Sequence, residues 1–127
     1  MTENGLIQAL QRTFSPGDRF PNPRRGETEI VRLGKDRIVY RRGRSEIAVR
    51  VRDLYRAYLR FRGRRMSSSD LRSFAPSVFD SAPAIGPSGH SCNCSFLFHV
   101  LGVLDLAGPI EGAGVAGDPY AVRVFGR

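Results

Sequence analysis

The chain has 127 residues, 41% of them hydrophobic and 9% aromatic, with 20 Lys and Arg against 12 Asp and Glu for a formal net charge of +8. That is a common size for one domain and enough apolar material for a packed interior, which excludes a wholly disordered chain. The longest mostly apolar stretch, Phe96 to Leu106, is interrupted by His99 and Asp105 and is too short to span a bilayer, so no membrane association is expected.

Residues 3–14 read as a short helix. Leu6, Ile7, Leu10 and Phe14 recur near one face, and Thr2 is placed to cap it. Glu3, Gln8, Gln11 and Arg12 break the pattern of a signal peptide, so the cytoplasm is the expected compartment. Ser15 to Gly26, with three prolines and two glycines, reads as a linker. Three short runs follow with partial alternation, Glu29–Leu33, Arg37–Arg41 and Glu46–Val51, the first with one position out of phase. Gly34-Lys35-Asp36 and Arg42-Gly43-Arg44 separate them, which predicts a three-stranded antiparallel meander. Ile30, Leu33, Ile38, Tyr40, Ile47, Val49 and Val51 would point inward, and Arg32, Arg37, Arg41 and Arg50 outward.

A helix is predicted from Asp53 to about Arg62, closed by Gly63. Arg52, Arg56 and Arg60 are four apart and form one stripe, which Arg64 and Arg65 would extend. Ser67 to Asp70 offers N-caps for a short helix over Asp70 to Phe74, ended by Pro76, and residues 76–90 read as a loop. A third helix is expected from Ser91 or Cys92 to about Leu106. A hairpin follows, with Pro109 to Glu111 on one side and Tyr120 to Phe125 on the other. The fold class is therefore α+β, with residues 1–26 as a helix and linker and 27–127 as one domain. Within it, 27–65 would form the basic strands and helix and 66–127 the helical and hairpin part.

The order of helix, short helix, helix and hairpin from residue 53, with the segment VLDLAGPIEGAGVAGDPYAVRVF, resembles the end of a winged helix-turn-helix domain. The resemblance implies a recognition helix around Ser91 to Leu104, with Asn93, Ser95 and His99 outward, and a wing at Gly112 to Asp118. Neither stretch contains an Arg or Lys. Any grip on phosphate must then come from elsewhere.

Charge shows where. From Arg19 to Arg72 sixteen Arg and one Lys face six acids, a net of +11, while residues 1–18 sum to −1 and 73–127 to −2. Coding bias accounts for arginine over lysine but not for this crowding. The guanidinium fork suits bidentate phosphate contacts. The chain is therefore expected to be a non-enzymatic nucleic-acid-binding protein, for DNA or RNA. Its contacts would come from Arg32, Arg41, Arg42, Arg44, Arg52, Arg56, Arg60, Arg64 and Arg65. An accessory subunit meeting an acidic protein partner is the alternative. A small metal- or thiol-dependent hydrolase or nuclease is the second. His90, Cys92, Cys94 and His99 are its candidate ligands, and the thiols are separated by a single residue with no distant Cys to complete a zinc set. No metal, cofactor or catalytic residue is assigned from the sequence.

Overall fold

The computed structural model describes residues 1–81 and 89–127. The chain is mixed α+β, and its contacts cluster into two units, Met1–Arg56 and Ala57–Arg127, the division falling inside a helix.

The first unit opens with α1 (Glu3–Thr13), where Thr2 accepts a hydrogen bond from the Gly5 N–H at 2.9 Å and Leu6, Ala9 and Leu10 are buried. A four-stranded antiparallel sheet follows in the order β1-β2-β3-β4. Its strands are β1 (Arg19–Pro21), β2 (Glu27–Leu33), β3 (Arg37–Arg42) and β4 (Ser45–Arg50). The meander thus has one strand more than the sequence predicts, because the supposed linker contains β1. Phe20 buries itself there opposite Thr28, and Pro21 is tolerated because an edge strand leaves one side unbonded. Between Ile30 and Arg32 the β2–β3 register shifts by a bulge. That extra residue explains the out-of-phase position: Ile30 and Leu33 lie three apart yet oppose Tyr40 and Ile38 on the same side. The β3–β4 turn is two residues long, with a positive φ at Gly43 (56°) but not at Arg44, as a type II′ hairpin turn demands. Ile30, Ile38, Tyr40, Ile47 and Val49 form the covered side of the sheet, each nearly or fully buried.

Helix α2 (Val51–Phe61) begins two residues before the expected Asp53, with the Val51 N–H donating to the Asp36 carbonyl at 2.9 Å. Gly63, at φ 79°, ends it where a residue with a side chain would be strained. In the second unit β5 (Arg65–Ser67) pairs antiparallel with β6 (Ala121–Arg123), a pairing the sequence does not announce. Ser67 caps α3 (Ser68–Phe74) through a reciprocal capping box with Asp70. The stretch expected to be a loop from Pro76 starts instead as a one-turn helix, α4 (Pro76–Phe79), with Pro at its first position and Phe79 buried. The remainder of that loop, residues 82–88, lies outside the described residues. Helix α5 (Cys92–Val103) stops short of the expected Leu106, and bridges Ala107↔Val124 and Glu111↔Ala121 lead into the final strand. Consecutive burial of Phe96, Leu97 and Phe98 shows that α5 is a core helix rather than a surface one.

Candidate nucleic-acid interface

The nine arginines singled out by the sequence do not share one surface. Within the first unit, cross-strand register sorts them. Arg41 opposes Glu29 on β2 and Glu46 on β4, all on the uncovered face, and this produces a row of alternating charge. Arg19 lies 3.6 Å from Glu29, Glu29 3.7 Å from Arg41, Arg41 2.9 Å from Glu46, and Glu46 3.8 Å from Arg32. The hydrogen bond to Glu46, supported by the charges of Glu46 and Glu29, raises the Arg41 pKa above its ordinary value. Arg41 is therefore held between two carboxylates, while Arg32 only reaches the edge of an ion pair. The sequence reading missed Arg19, Glu29 and Glu46 because their meeting depends on register and on a strand hidden in a proline-rich stretch.

Arg42, one residue on, points to the opposite side of the sheet. Its Nε donates to Thr28 Oγ1 at 2.7 Å, and the fully buried Thr28 hydroxyl in turn donates to Asn22 Oδ1 at 2.5 Å. The guanidinium also lies 5.8 Å from the centroid of the Tyr40 ring. This side chain ties the β1–β2 connection to the sheet and is only half-exposed. Arg44 stands at the second turn position, exposed, and among the described residues it pairs with no carboxylate.

Helix α2 differs. Arg52, Arg56 and Arg60 are all exposed, and Asp53 is the single acid in its sequence. Four-residue spacing advances about 6 Å along the axis and turns about 40° per step, so the three guanidinia form a gently winding line. Arg52 reaches only the fringe of an ion pair, 4.0 Å from Glu3, and Arg60 lies 5.1 Å from the centroid of the Phe61 ring. Arg56 has no carboxylate within ion-pairing distance among the described residues. Arg64 and Arg65 do not extend this stripe, because Gly63 has already turned the chain. Arg64 is exposed after the turn, and Arg65 lies in β5, 3.7 Å from Glu111.

In the second unit the Cys and His residues are held by packing. Cys94 is 3% exposed, and its thiol points at the carbonyls of Phe79 (3.7 Å) and Ser68 (3.9 Å). Burial pushes its pKa up to about 12, so it stays protonated and lacks the thiolate needed for nucleophilic work. Both cysteines are free thiols. Among the described residues, no group of three or more His, Cys, Asp or Glu side chains is arranged to hold a metal ion. Asn93, expected to face outward, is 1% exposed and donates to the Val78 carbonyl at 2.9 Å, which leaves Cys92, Ser95 and His99 as the half-exposed line of α5. No helix among the described residues is long and apolar enough to cross a membrane.

No protein-family model, curated protein or solved structure matches this chain.

Proposed function

We propose that this protein binds nucleic acid without acting on it chemically, and that the arginine line of α2 is its working contact with the phosphate backbone. The observation that carries the reading is a contrast. The sheet ties Arg19, Arg41 and, more loosely, Arg32 to Glu29 and Glu46, whereas α2 keeps Arg52, Arg56 and Arg60 exposed with Asp53 as its one acid. Like charges four apart weaken a helix slightly, and a polyanion alongside removes that cost. Arginine on a helix face supplies forked contacts to phosphate oxygens, which position a protein without reading bases. Arg44 in the first unit and Arg64 in the second add exposed cations of the same kind. In the second unit, the run from α5 through the Glu111↔Ala121 bridge to β6 supports a winged-helix-like reading. Burial along α5 and the acidic Glu111 and Asp118 argue against using its helix and wing as the reading head.

The test is binding of nuclease-treated protein to labelled duplex DNA and single-stranded RNA across a salt series, beside the Arg56→Glu/Arg60→Glu variant. Binding that weakens steeply with salt and collapses in the variant supports the proposal and says which nucleic acid to pursue. Failure to bind either, together with a stoichiometric acidic protein that co-purifies, replaces it with the accessory-subunit reading.

A further inference from the structure

Of the two edges of the four-stranded sheet, only one is defended. β1 is three residues long and ends in Pro21, which has no N–H to offer. Shortness and proline both blunt an edge against a further strand. At the opposite edge β4 runs six residues, Ser45–Arg50, with no proline, glycine or bulge in its pairing. Its inward side chains, Ile47 and Val49, are apolar and each 3% exposed.

The turn fixes which main-chain groups of β4 face outward. In a two-residue hairpin the residues that close the turn, here Arg42 and Ser45, exchange both hydrogen bonds, and such pairs alternate along the ladder. Ile47 and Val49 thus bond back to Tyr40 and Ile38, while Glu46 and Ala48 direct N–H and C=O away from β3; Arg50 offers its N–H there, its C=O being taken up by the first turn of α2. Among the described residues, no backbone hydrogen bond from outside the sheet reaches Glu46 or Ala48.

The same three residues select a partner. An outward residue must meet an outward residue, so antiparallel self-pairing of β4 has few registers. Centred on Glu46 it opposes two carboxylates, and centred on Arg50 it opposes two guanidinia. With Glu46 against Ala48 it sets Arg44 against Arg50, and with Ala48 against Arg50 it runs into α2. Centred on Ala48, each Glu46 meets Arg50 of the partner subunit and each Ile47 lies beside Val49 of the partner subunit in the covered layer. Opposite charges directly across a ladder stabilise it, and like charges destabilise it. Arg50 is in want of such a partner. Within the sheet it faces Arg37, a like charge, and no carboxylate pairs with it among the described residues.

We propose that β4 is a self-association edge, pairing antiparallel with β4 of a second copy about a two-fold axis at Ala48. The two sheets then fuse into one, joined by about four main-chain hydrogen bonds, two at the Ala48 pair and one at each Glu46–Arg50 pair. Two Glu46–Arg50 contacts across the axis fix the register. The interface is isologous, so it closes as a dimer and does not propagate.

Light scattering on the full chain after size exclusion, over a concentration series, tests this. The expected species has twice the 14.1 kDa chain mass. Arg50→Glu sets carboxylate against carboxylate and gives a monomer that still unfolds cooperatively, and Glu46→Arg/Arg50→Glu restores the dimer. A wild-type chain that stays monomeric throughout, or an Arg50→Glu variant as dimeric as wild type, overturns the proposal. Because Glu46 also holds Arg41 and Arg32, hydrogen exchange of the wild-type chain supplies a measurement independent of folding in the variants. Amides of Ala48 and Arg50 should slow at least about tenfold as concentration rises, and exchange that is the same at every concentration overturns the proposal equally.

Discussion

Replacing Arg56 and Arg60 with alanine should flatten the salt dependence of nucleic-acid binding by a calculable amount. Each phosphate neutralised on duplex DNA contributes about 0.9 to the slope of log affinity against log salt. If Arg52, Arg56 and Arg60 each engage one phosphate, α2 contributes a slope of about 2.7, or about a 40-fold loss of affinity between 50 and 200 mM salt. With Arg52 alone left, that contribution falls to about 0.9, or about 3.5-fold over the same range. On a single strand, at about 0.7 per phosphate, the figures are about 18-fold and 2.6-fold. Fluorescence anisotropy of a labelled oligonucleotide at several salt concentrations reads the slopes directly. Arg41→Ala is the internal control: Arg41 is already engaged by Glu46 and Glu29, so its line should run parallel to wild type. Parallel lines for wild type and the Arg56→Ala/Arg60→Ala variant would refute the assignment to α2. So would an Arg41→Ala variant that loses as much slope.

Cys94 makes two further expectations. Its folded pKa of about 12 lies above its ordinary 9.0, so the unfolded chain sheds the proton first as pH rises. Stability from this group is intact below pH 9 and falls by on the order of 4 kcal/mol as pH climbs to 12. Denaturant melts of wild type and Cys94→Ala between pH 8 and 10.5 should therefore converge as pH rises, and a constant gap would contradict the account. At pH 8, alkylation should take the half-exposed Cys92 first and leave Cys94 until the protein unfolds. Ser67→Ala removes the α3 capping box, in which Ser67 Oγ accepts from the Asp70 N–H at 3.0 Å, and should cost about 1 kcal/mol in a thermal melt. No change in the melt would mean the cap contributes nothing.

Local patterns carried much of the architecture. Alternation around Ile38–Tyr40 and Ile47–Val49, the glycine at the β3–β4 turn, the helical spacing from Leu54 to Phe61 and the stop at Gly63 all depend on neighbours in sequence, and they place the meander and α2. Pairings between distant residues were invisible. Phe20 looks like a linker residue until Thr28 is opposite it, and Met66 looks like a connector until β5 meets β6. The arginines follow the same division. Spacing alone put Arg52, Arg56 and Arg60 on one helix, but the fates of Arg41 and Arg42 depend on which face each takes and what lies across the ladder. Asn93 was misjudged for a related reason: a polar residue on a core helix is accepted because the Val78 carbonyl, fifteen residues earlier, waits for it.

The row of alternating charge on the open sheet face has an uneven arithmetic. It holds three guanidinium groups and two carboxylates, and each carboxylate serves two guanidinium neighbours. Losing Glu29 leaves Arg19 without a carboxylate and losing Glu46 leaves Arg32 without one, while Arg41 keeps whichever acid remains; losing both uncovers all three cations together. A quiet row is thus held two substitutions away from an adhesive one, its capacity for anions kept in reserve behind two side chains.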